Sequence, residues 1–172
     1  VGLGDIGTQV CEMLKGFGVR VVYYKRNRLT LEQERRVGAT YVSLDELLKN
    51  SGVVSLHCSL NDETTAIIDQ KRLASMRATS VLINTSRGQL VDEDALIRAL
   101  QEGAIAGAGL DVFAKEPLPI GHPLLKMNNV LITPHVSSIT AQTFRSMMEA
   151  AFKNIELFHN GDCQGISKCR VV

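Results

Sequence analysis

Five short apolar runs rich in β-branched residues alternate along this chain with segments in which apolar residues recur every three or four positions. The runs cover 19–24, 53–58, 80–85, 105–112 and 129–133. A strand buried on both faces of a sheet is an uninterrupted apolar run, and a parallel neighbour is usually reached through a helix. The alternation therefore predicts an α/β fold, with a parallel sheet covered by helices on both faces.

Signals at the expected helix ends agree with this interpretation. Ser43 and Glu46 are spaced as a capping box for a helix over 44–49. Asp92 can cap a later helix, and Gly103 stands where that helix would end in the left-handed conformation. A long helix is expected over 140–159, where apolar residues share one face that would pack on the sheet.

Composition excludes several classes of function. The 172 residues are 45% hydrophobic, which is enough for one domain, and 19 basic residues against 18 acidic ones leave a net charge of +1. Such a balance predicts binding neither to nucleic acid nor to a membrane, and the absence of an apolar run of about 20 residues or a leader favours a cytoplasmic location. The four scattered cysteines are expected to be reduced, with no metal site.

A glycine-rich turn stands at the start of the chain. Residues 2–7 have the sequence G-L-G-D-I-G, which matches G-x-G-x-x-G and runs directly into an amphipathic segment. In that context the glycines let the backbone approach a pyrophosphate at the positive end of a helix. The pattern predicts a Rossmann-type doubly wound sheet, with cofactor-binding residues Gly2, Gly4, Asp5, Ile6 and Gly7. Glycine-rich turns also serve tight strand-to-helix connections, and the helix and strand that follow favour the nucleotide-binding interpretation.

Only Val1 precedes the first glycine, whereas a strand normally has about five residues. We therefore expect a truncated first strand in a fragment of a longer protein. The expected organisation is a nucleotide-binding domain over 1–162, followed by a tail over 163–172 that has no clear periodicity.

Cationic side chains follow the run 19–24, where the dinucleotide fingerprint places a carboxylate for the ribose hydroxyls. Lys25, Arg26 and Arg28 stand there instead. A carboxylate would repel a 2′-phosphate, whereas each cationic donor would bind it with about 1.5–3 kcal/mol. The turn favours NADP(H), with NAD(H) possible, and the alternative is a solvated basic turn without a ligand.

Four further motifs end successive strands. They are V-S-L-H-C-S-L at 54–60, I-N-T-S-R-G at 83–88, G-A-G-L-D-V-F at 107–113 with Glu116-Pro117 after it, and L-I-T-P-H-V-S-S at 131–138. In this order the chain closely resembles the NAD(P)-binding domain of the D-2-hydroxyacid dehydrogenases, over about residues 1–162. The basic turn is most similar to that of the glyoxylate and hydroxypyruvate reductases.

The resemblance implies three catalytic residues. Reduction of a 2-oxo acid needs a hydride donor, a proton donor for the carbonyl oxygen and a cation for the carboxylate. By similarity, His135 is the general acid, Glu116 keeps it charged and oriented, and Arg87 holds the substrate with its planar fork. Each of them taken alone has an ordinary structural explanation, but all three follow strands of one parallel sheet, where ligands bind.

The resemblance also implies further cofactor contacts. They are Thr85 and Ser86 beside the nicotinamide, Asp111 on its carboxamide, Cys58 against the adenosine ribose, and Ser137. Ser59 stands where the family usually has proline, which puts the fit of the ribose in question.

In this family the substrate domain is built from chain on both sides of the nucleotide-binding domain. We therefore expect this chain to bind NADP(H) with little or no turnover of a small 2-oxo or 2-hydroxy acid. Family enzymes are homodimers that pair through this domain, and the apolar face of 140–158 can contribute, although packing within the domain explains the same pattern.

Two other functions stay open at this point. A phosphite dehydrogenase-like enzyme would use the same arginine, glutamate and histidine, whereas formate dehydrogenases pair the histidine with glutamine, which Glu116 argues against. A non-catalytic co-repressor that senses dinucleotides would need the glycine turn but not the catalytic residues.

Overall fold

The computed structural model describes residues 1–162 and 166. It has two compact units, Val1–His135 and the segment from Val136 onward, and each is described by itself. The strands of the described residues are β1 (Val21–Tyr23), β2 (Ala39–Tyr41), β3 (Val53–Leu56), β4 (Val81–Asn84), β5 (Gly107–Leu110) and β6 (Val130–Ile132). The helices are α1 (Asp5–Leu14), α2 (Leu31–Val37), α3 (Leu44–Asn50), α4 (Gln70–Ser75), α5 (Glu93–Gln101) and α6 (Ala141–His159), with 3₁₀ turns at Lys15–Phe17, Gly88–Leu90 and Pro123–Lys126.

All the strand pairs are parallel, with β1 beside β2 and a second sheet in the order β3-β4-β5-β6. Residues 1–2 join the two sheets. The Val1 amine donates to the Ser55 carbonyl at 2.7 Å, and the Gly2 amide donates to the Tyr24 carbonyl at 2.8 Å. The start of the chain therefore holds the position of the first strand of a doubly wound sheet, between β1 and β3, and the predicted Rossmann-type fold is confirmed.

The main core lies on one face of the four-stranded sheet. Alternate strand residues, such as Val54, Leu56 and Leu82, are buried against side chains of α3, α4 and α5. On the opposite face Val53 and Leu131 are 65% and 73% exposed. The two-residue period of a strand sends neighbouring side chains to opposite faces, so Val53 is exposed although the next residue, Val54, is buried.

The predicted helix ends are present, but of the capping box predicted at Ser43 and Glu46 the structure gives only the bond to the Ser43 hydroxyl. The Ser43 hydroxyl accepts from the Glu46 amide at 3.2 Å, the Asp92 carboxylate accepts from the Ala95 amide at 3.0 Å, and Gly103 has φ +70°. The sequence did not predict β2, because the polar Thr40 at its centre leaves no apolar run like those that contain the equally short β1 and β6. Its start at Ala39 follows directly on the left-handed Gly38 that ends α2.

The predicted long helix is confirmed as α6, and the Thr140 hydroxyl caps it by accepting from the Thr143 amide at 3.0 Å. None of its residues is buried, and Phe144, Phe152 and Phe158 are 63% exposed or more. The packing of this face and its part in a dimer stay predictions. Among the described residues no helix combines the length and the apolarity needed to cross a bilayer. Apart from Ile166, the predicted tail over 163–172 lies outside the described residues.

Candidate active site

Three neighbouring strands bring the predicted catalytic residues to one edge of the sheet. Strands β4, β5 and β6 are parallel and in register, with Asn84 opposite Leu110 and Leu110 opposite Ile132. Arg87 follows β4, Glu116 follows β5 and His135 follows β6. Because the carboxyl ends of parallel strands share an edge, all three residues leave the sheet on its ligand-binding side.

His135 and Glu116 form a hydrogen-bonded pair. The His135 Nδ1 lies 2.7 Å from one carboxylate oxygen of Glu116, and the other oxygen accepts from the Phe113 amide at 3.0 Å. These two bonds, the one with His135 first, hold the pKa of Glu116 below its ordinary value of 4.5. An ionised carboxylate only accepts hydrogen bonds, so Nδ1 carries the proton and Nε2 is the ring nitrogen that can face a substrate.

The backbone at His135 is in the left-handed region, with φ 54°. Residues other than glycine rarely adopt this conformation, and where they do the surrounding structure holds them in it. Here the His135 amide donates to the Thr133 carbonyl at 3.1 Å, and Glu116 holds the ring. The tight turn after β6 therefore aims the imidazole at the carboxylate.

The turn that carries Arg87 is built on a buried amide. The Asn84 Nδ2 donates to the Arg87 carbonyl at 2.9 Å, and its Oδ1 accepts from the Ser86 amide at 3.0 Å. The exposed Arg87 guanidinium donates from Nη1 to the Ser86 carbonyl at 2.6 Å. Gly88 then passes so close to Phe113 that a Cβ there would lie 1.9 Å from the Phe113 carbonyl carbon. Because Phe113 also binds Glu116, the arginine turn and the His135–Glu116 pair belong to one contiguous cluster.

Three residues that the sequence did not single out support the Glu116 loop. The Gln89 amide donates to the Ala114 carbonyl at 3.1 Å, and the Glu93 carboxylate accepts from the Ala114 amide at 3.0 Å. His122 Nε2 lies 3.5 Å from the other oxygen of Glu93. No sequence signal could have found them, because Glu93 is also an ordinary first-turn residue of α5 and its loop partner is 21 positions away.

The predicted nicotinamide contacts Thr85, Ser86 and Asp111 lie on the same strand ends. Asp111 is buried directly after β5 and accepts from the Thr133 hydroxyl at 2.5 Å. Thr85 is exposed after β4, and the Ser86 hydroxyl donates to the Leu56 carbonyl at 2.7 Å. Ser137 belongs to the unit that starts at Val136.

The glycine turn fits a pyrophosphate. Gly2 has φ +82°, and a Cβ on it would lie 2.6 Å from backbone atoms of His57 and Cys58, so only glycine fits. Gly4 precedes α1 without a side-chain cap, and a Cβ there would meet nothing within 4 Å. The first helical residues, Asp5 and Ile6, are exposed. The positive end of α1 is therefore open to an anion.

A cavity of about 290 Å³ runs from the glycine turn to the basic turn. Its lining consists of Val1, Gly2, Tyr24, Lys25, Arg26, Cys58, Ser59, Asn61, Glu63, Thr64 and Ile67. Lys25 Nζ donates to the Leu3 carbonyl at 3.0 Å, and Arg26 Nη1 lies 2.6 Å from a Glu63 oxygen. Two of the three predicted cations and Cys58 therefore share a cavity with the glycine turn.

The structure places Arg28 in a different network. Its guanidinium donates twice to Glu34, at 2.8 and 3.1 Å, and lies 5.2 Å from the centre of the Tyr41 ring. Glu34 is buried and also accepts from the Tyr23 hydroxyl at 2.8 Å. The hydrogen bond from Arg28 lowers the pKa of Glu34. Arg28 therefore neutralises a buried carboxylate, a task that the sequence could not distinguish from phosphate binding.

The lowered pKa of Glu116 predicts an acid-dependent contribution to stability. The folded carboxyl binds fewer protons than the unfolded one near its ordinary pKa of 4.5. Its contribution is therefore complete above that value and is lost as the pH falls through the lower folded pKa. We expect Glu116→Gln to reduce the urea midpoint at neutral pH, and the difference from the unmodified chain to shrink in acid. An equal difference in the urea midpoint at neutral and at acid pH would contradict the stabilising role of the ionised Glu116.

The comparison with known proteins gives one consistent family. The profile described as "D-isomer specific 2-hydroxyacid dehydrogenase, NAD binding domain" matches residues 1–137. A glyoxylate reductase of Korarchaeum cryptofilum is 46% identical over 162 residues, which cover 94% of this chain and 48% of the relative. The chain therefore spans about half the length of such relatives.

Solved structures agree with the sequence match. A glyoxylate reductase from Paecilomyes thermophila has a TM-score of 0.84 at 41% identity, covering 91% of this chain and 47% of that one. The NAD complexed form of a D-isomer specific 2-hydroxyacid dehydrogenase from Lactobacillus delbrueckii ssp. bulgaricus has a TM-score of 0.84 at 37% identity, covering 93% and 52%. The resemblance found in the motifs is confirmed: this chain belongs to the D-isomer specific 2-hydroxyacid dehydrogenases, and it matches their NAD binding domain.

Proposed function

We propose that this domain binds NADP(H) and supplies the catalytic residues for reduction of a small 2-oxo acid, such as glyoxylate or hydroxypyruvate. The observation that carries the proposal is the His135–Glu116 pair at 2.7 Å, on the same sheet edge as the Arg87 turn. The similarity of the chain to glyoxylate reductases supports the proposed substrate class. The isolated chain spans only half the length of those relatives, so we propose that it binds the cofactor with little or no turnover by itself.

Each residue has a distinct task in this reaction. A bound nicotinamide supplies the hydride for the carbonyl carbon. His135 Nε2 donates a proton to the carbonyl oxygen as negative charge develops there, and it takes a proton back in the reverse oxidation. Glu116 stabilises the protonated ring through Nδ1, and the planar Arg87 guanidinium binds the substrate carboxylate.

The proposed cofactor preference rests on the cations in the cavity. Lys25 and Arg26 line the cavity that begins at the glycine turn, so an adenosine 2′-phosphate held there would meet both of them. Charge-assisted hydrogen bonds to phosphate are stronger than neutral ones. The turn after β1, which corresponds to the second strand of the dinucleotide fingerprint, also lacks the carboxylate that would repel this phosphate. Both observations favour NADP(H) over NAD(H).

We expect Arg26→Ala to weaken NADPH binding by about tenfold and to change NADH binding by less than about twofold. The reason is that only NADPH carries the 2′-phosphate that Arg26 would bind. Fluorescence titration of the chain with the two reduced cofactors side by side measures both constants.

Arg20→Ala is the matched control for that experiment. It removes the same charge from an exposed position before β1 and should leave both constants unchanged. Tighter binding of NADH than of NADPH by the unmodified chain would overturn the proposed preference.

A further inference from the structure

An ion pair lies in the lining of the cavity. Arg26 Nη1 and Glu63 Oε2 are 2.6 Å apart, with 71% and 66% of the two side chains exposed. Both residues line the cavity, together with Gly2 of the glycine turn. The two come from different segments: Arg26 follows β1, whereas Glu63 lies in the loop after β3, 37 positions later.

The loop that carries Glu63 is held by its own side chains. The Asn61 carboxamide oxygen accepts from the Glu63 amide at 3.0 Å and from the Thr64 amide at 3.1 Å. The Thr64 hydroxyl donates to the Ser59 carbonyl at 2.7 Å. The backbone at Glu63 is therefore held in place, and its carboxylate reaches the cavity from a defined position.

Glu63 supplies a carboxylate that is missing after β1, the strand that corresponds to the second strand of the dinucleotide fingerprint. The dinucleotide fingerprint places an acidic side chain directly after that strand, where it accepts hydrogen bonds from the ribose hydroxyls. In this chain Lys25 and Arg26 follow the strand, and the carboxylate enters the same cavity from the opposite loop. A carboxylate in this place can accept from a ribose hydroxyl, as the fingerprint residue does.

The same carboxylate opposes a 2′-phosphate in two ways. A phosphate monoester carries about −1.5 to −2 charges at neutral pH, so a neighbouring carboxylate repels it. Glu63 also occupies Arg26, which the phosphate would need as a donor. An exposed ion pair contributes only about 0.2–1 kcal/mol, so a phosphate can displace Glu63 from Arg26 at small cost.

We propose that Glu63 is a cofactor-specificity residue, which lets the site accept NAD(H) and moderates its preference for NADP(H) by competing with the 2′-phosphate for Arg26. The proposal rests on the proposed function, since it assumes that the cavity holds the adenosine end of a dinucleotide. The Glu63 carboxylate then has opposite effects on the two cofactors. It favours NAD(H), whose ribose has a free 2′-hydroxyl, and disfavours NADP(H), whose ribose carries the 2′-phosphate.

The test is Glu63→Gln, with the isosteric substitution Asp62→Asn as the control that removes the same charge from the neighbouring residue. Each chain is titrated with NADPH and NADH, and with 2′,5′-ADP and 5′-AMP as probes of the adenosine end alone. We expect Glu63→Gln to tighten binding of the two 2′-phosphorylated ligands by about threefold to tenfold. Binding of NADH and 5′-AMP should weaken, and Asp62→Asn should change every constant by less than about twofold.

A second comparison separates competition for Arg26 from simple charge repulsion. In an Arg26→Ala background, Glu63→Gln should tighten 2′,5′-ADP binding by less than about half of the factor seen when Arg26 is present, because the two side chains are coupled. If Glu63→Gln tightened 2′,5′-ADP binding equally with and without Arg26, Glu63 would not compete with the 2′-phosphate for Arg26. If Glu63→Gln left the ratio of the NADH and NADPH dissociation constants unaltered, the whole inference would be overturned. If the unmodified chain bound none of the four ligands, the proposed function would fail as well, so the two failures are distinguishable.

Discussion

Replacing His135 by glutamine is expected to lower kcat for glyoxylate by about 10²–10⁴-fold, which is the usual contribution of a general acid. Because the chain spans about half the length of its relatives, the measurement uses a chimera in which residues 1–162 replace the matching segment of the Korarchaeum cryptofilum glyoxylate reductase. Glutamine cannot protonate the carbonyl oxygen, and it does not form the ionic hydrogen bond that Glu116 makes with the imidazole at 2.7 Å. NADPH binding should stay within about twofold, since His135 is outside the cavity next to the glycine turn.

Two further variants make the result decisive. His135→Asn tests whether backbone strain contributes, because asparagine tolerates the left-handed conformation that His135 adopts with φ 54°. His159→Gln is the matched control, a histidine at the end of α6 that should leave kcat unchanged. A chimera that kept most of its turnover with glutamine and asparagine at position 135 would refute the general-acid role. Substantial glyoxylate reduction by the 172-residue chain alone would refute the proposal that it has little or no turnover by itself.

Replacing Gly88 by alanine is expected to destabilise the domain by about 3 kcal/mol. The added Cβ would lie 1.9 Å from the Phe113 carbonyl carbon and 2.5 Å from the Ala114 nitrogen. Both neighbours are backbone atoms, so no side chain can rotate to relieve the clash, and the strand-end segments must move apart. Urea unfolding followed by circular dichroism measures the loss.

Gly52→Ala is the matched control, because a Cβ at Gly52 would meet nothing within 4 Å. Its free energy of unfolding should change by no more than about 0.5 kcal/mol. The Gly88 substitution should also disturb the catalytic pair, since the Phe113 amide holds one oxygen of Glu116. An unchanged urea midpoint for Gly88→Ala would show that the two turns are not in contact.

The elements that position the site were predictable because their signals are local. An apolar run between two helical segments predicts a buried parallel strand, and the residues directly after it must lie at the ligand-binding edge. For this reason Arg87, Glu116 and His135, which the family resemblance singled out, could be expected on one edge, because each of them follows a predicted parallel strand. The strand β2 was not predicted, because its sequence Ala39-Thr40-Tyr41 has a polar residue at the centre and no apolar run.

The sequence by itself determined the α/β alternation, the glycine turn and the family, because each of these is recognised from residues only a few positions apart. Tertiary structure decided which charge meets which. It paired Arg28 with the buried Glu34 and Arg26 with Glu63, although all three cations of the region look alike in the sequence. The physical reason is that the energy of an ion pair depends on distance and burial, and folding sets both of these between segments that are far apart along the chain.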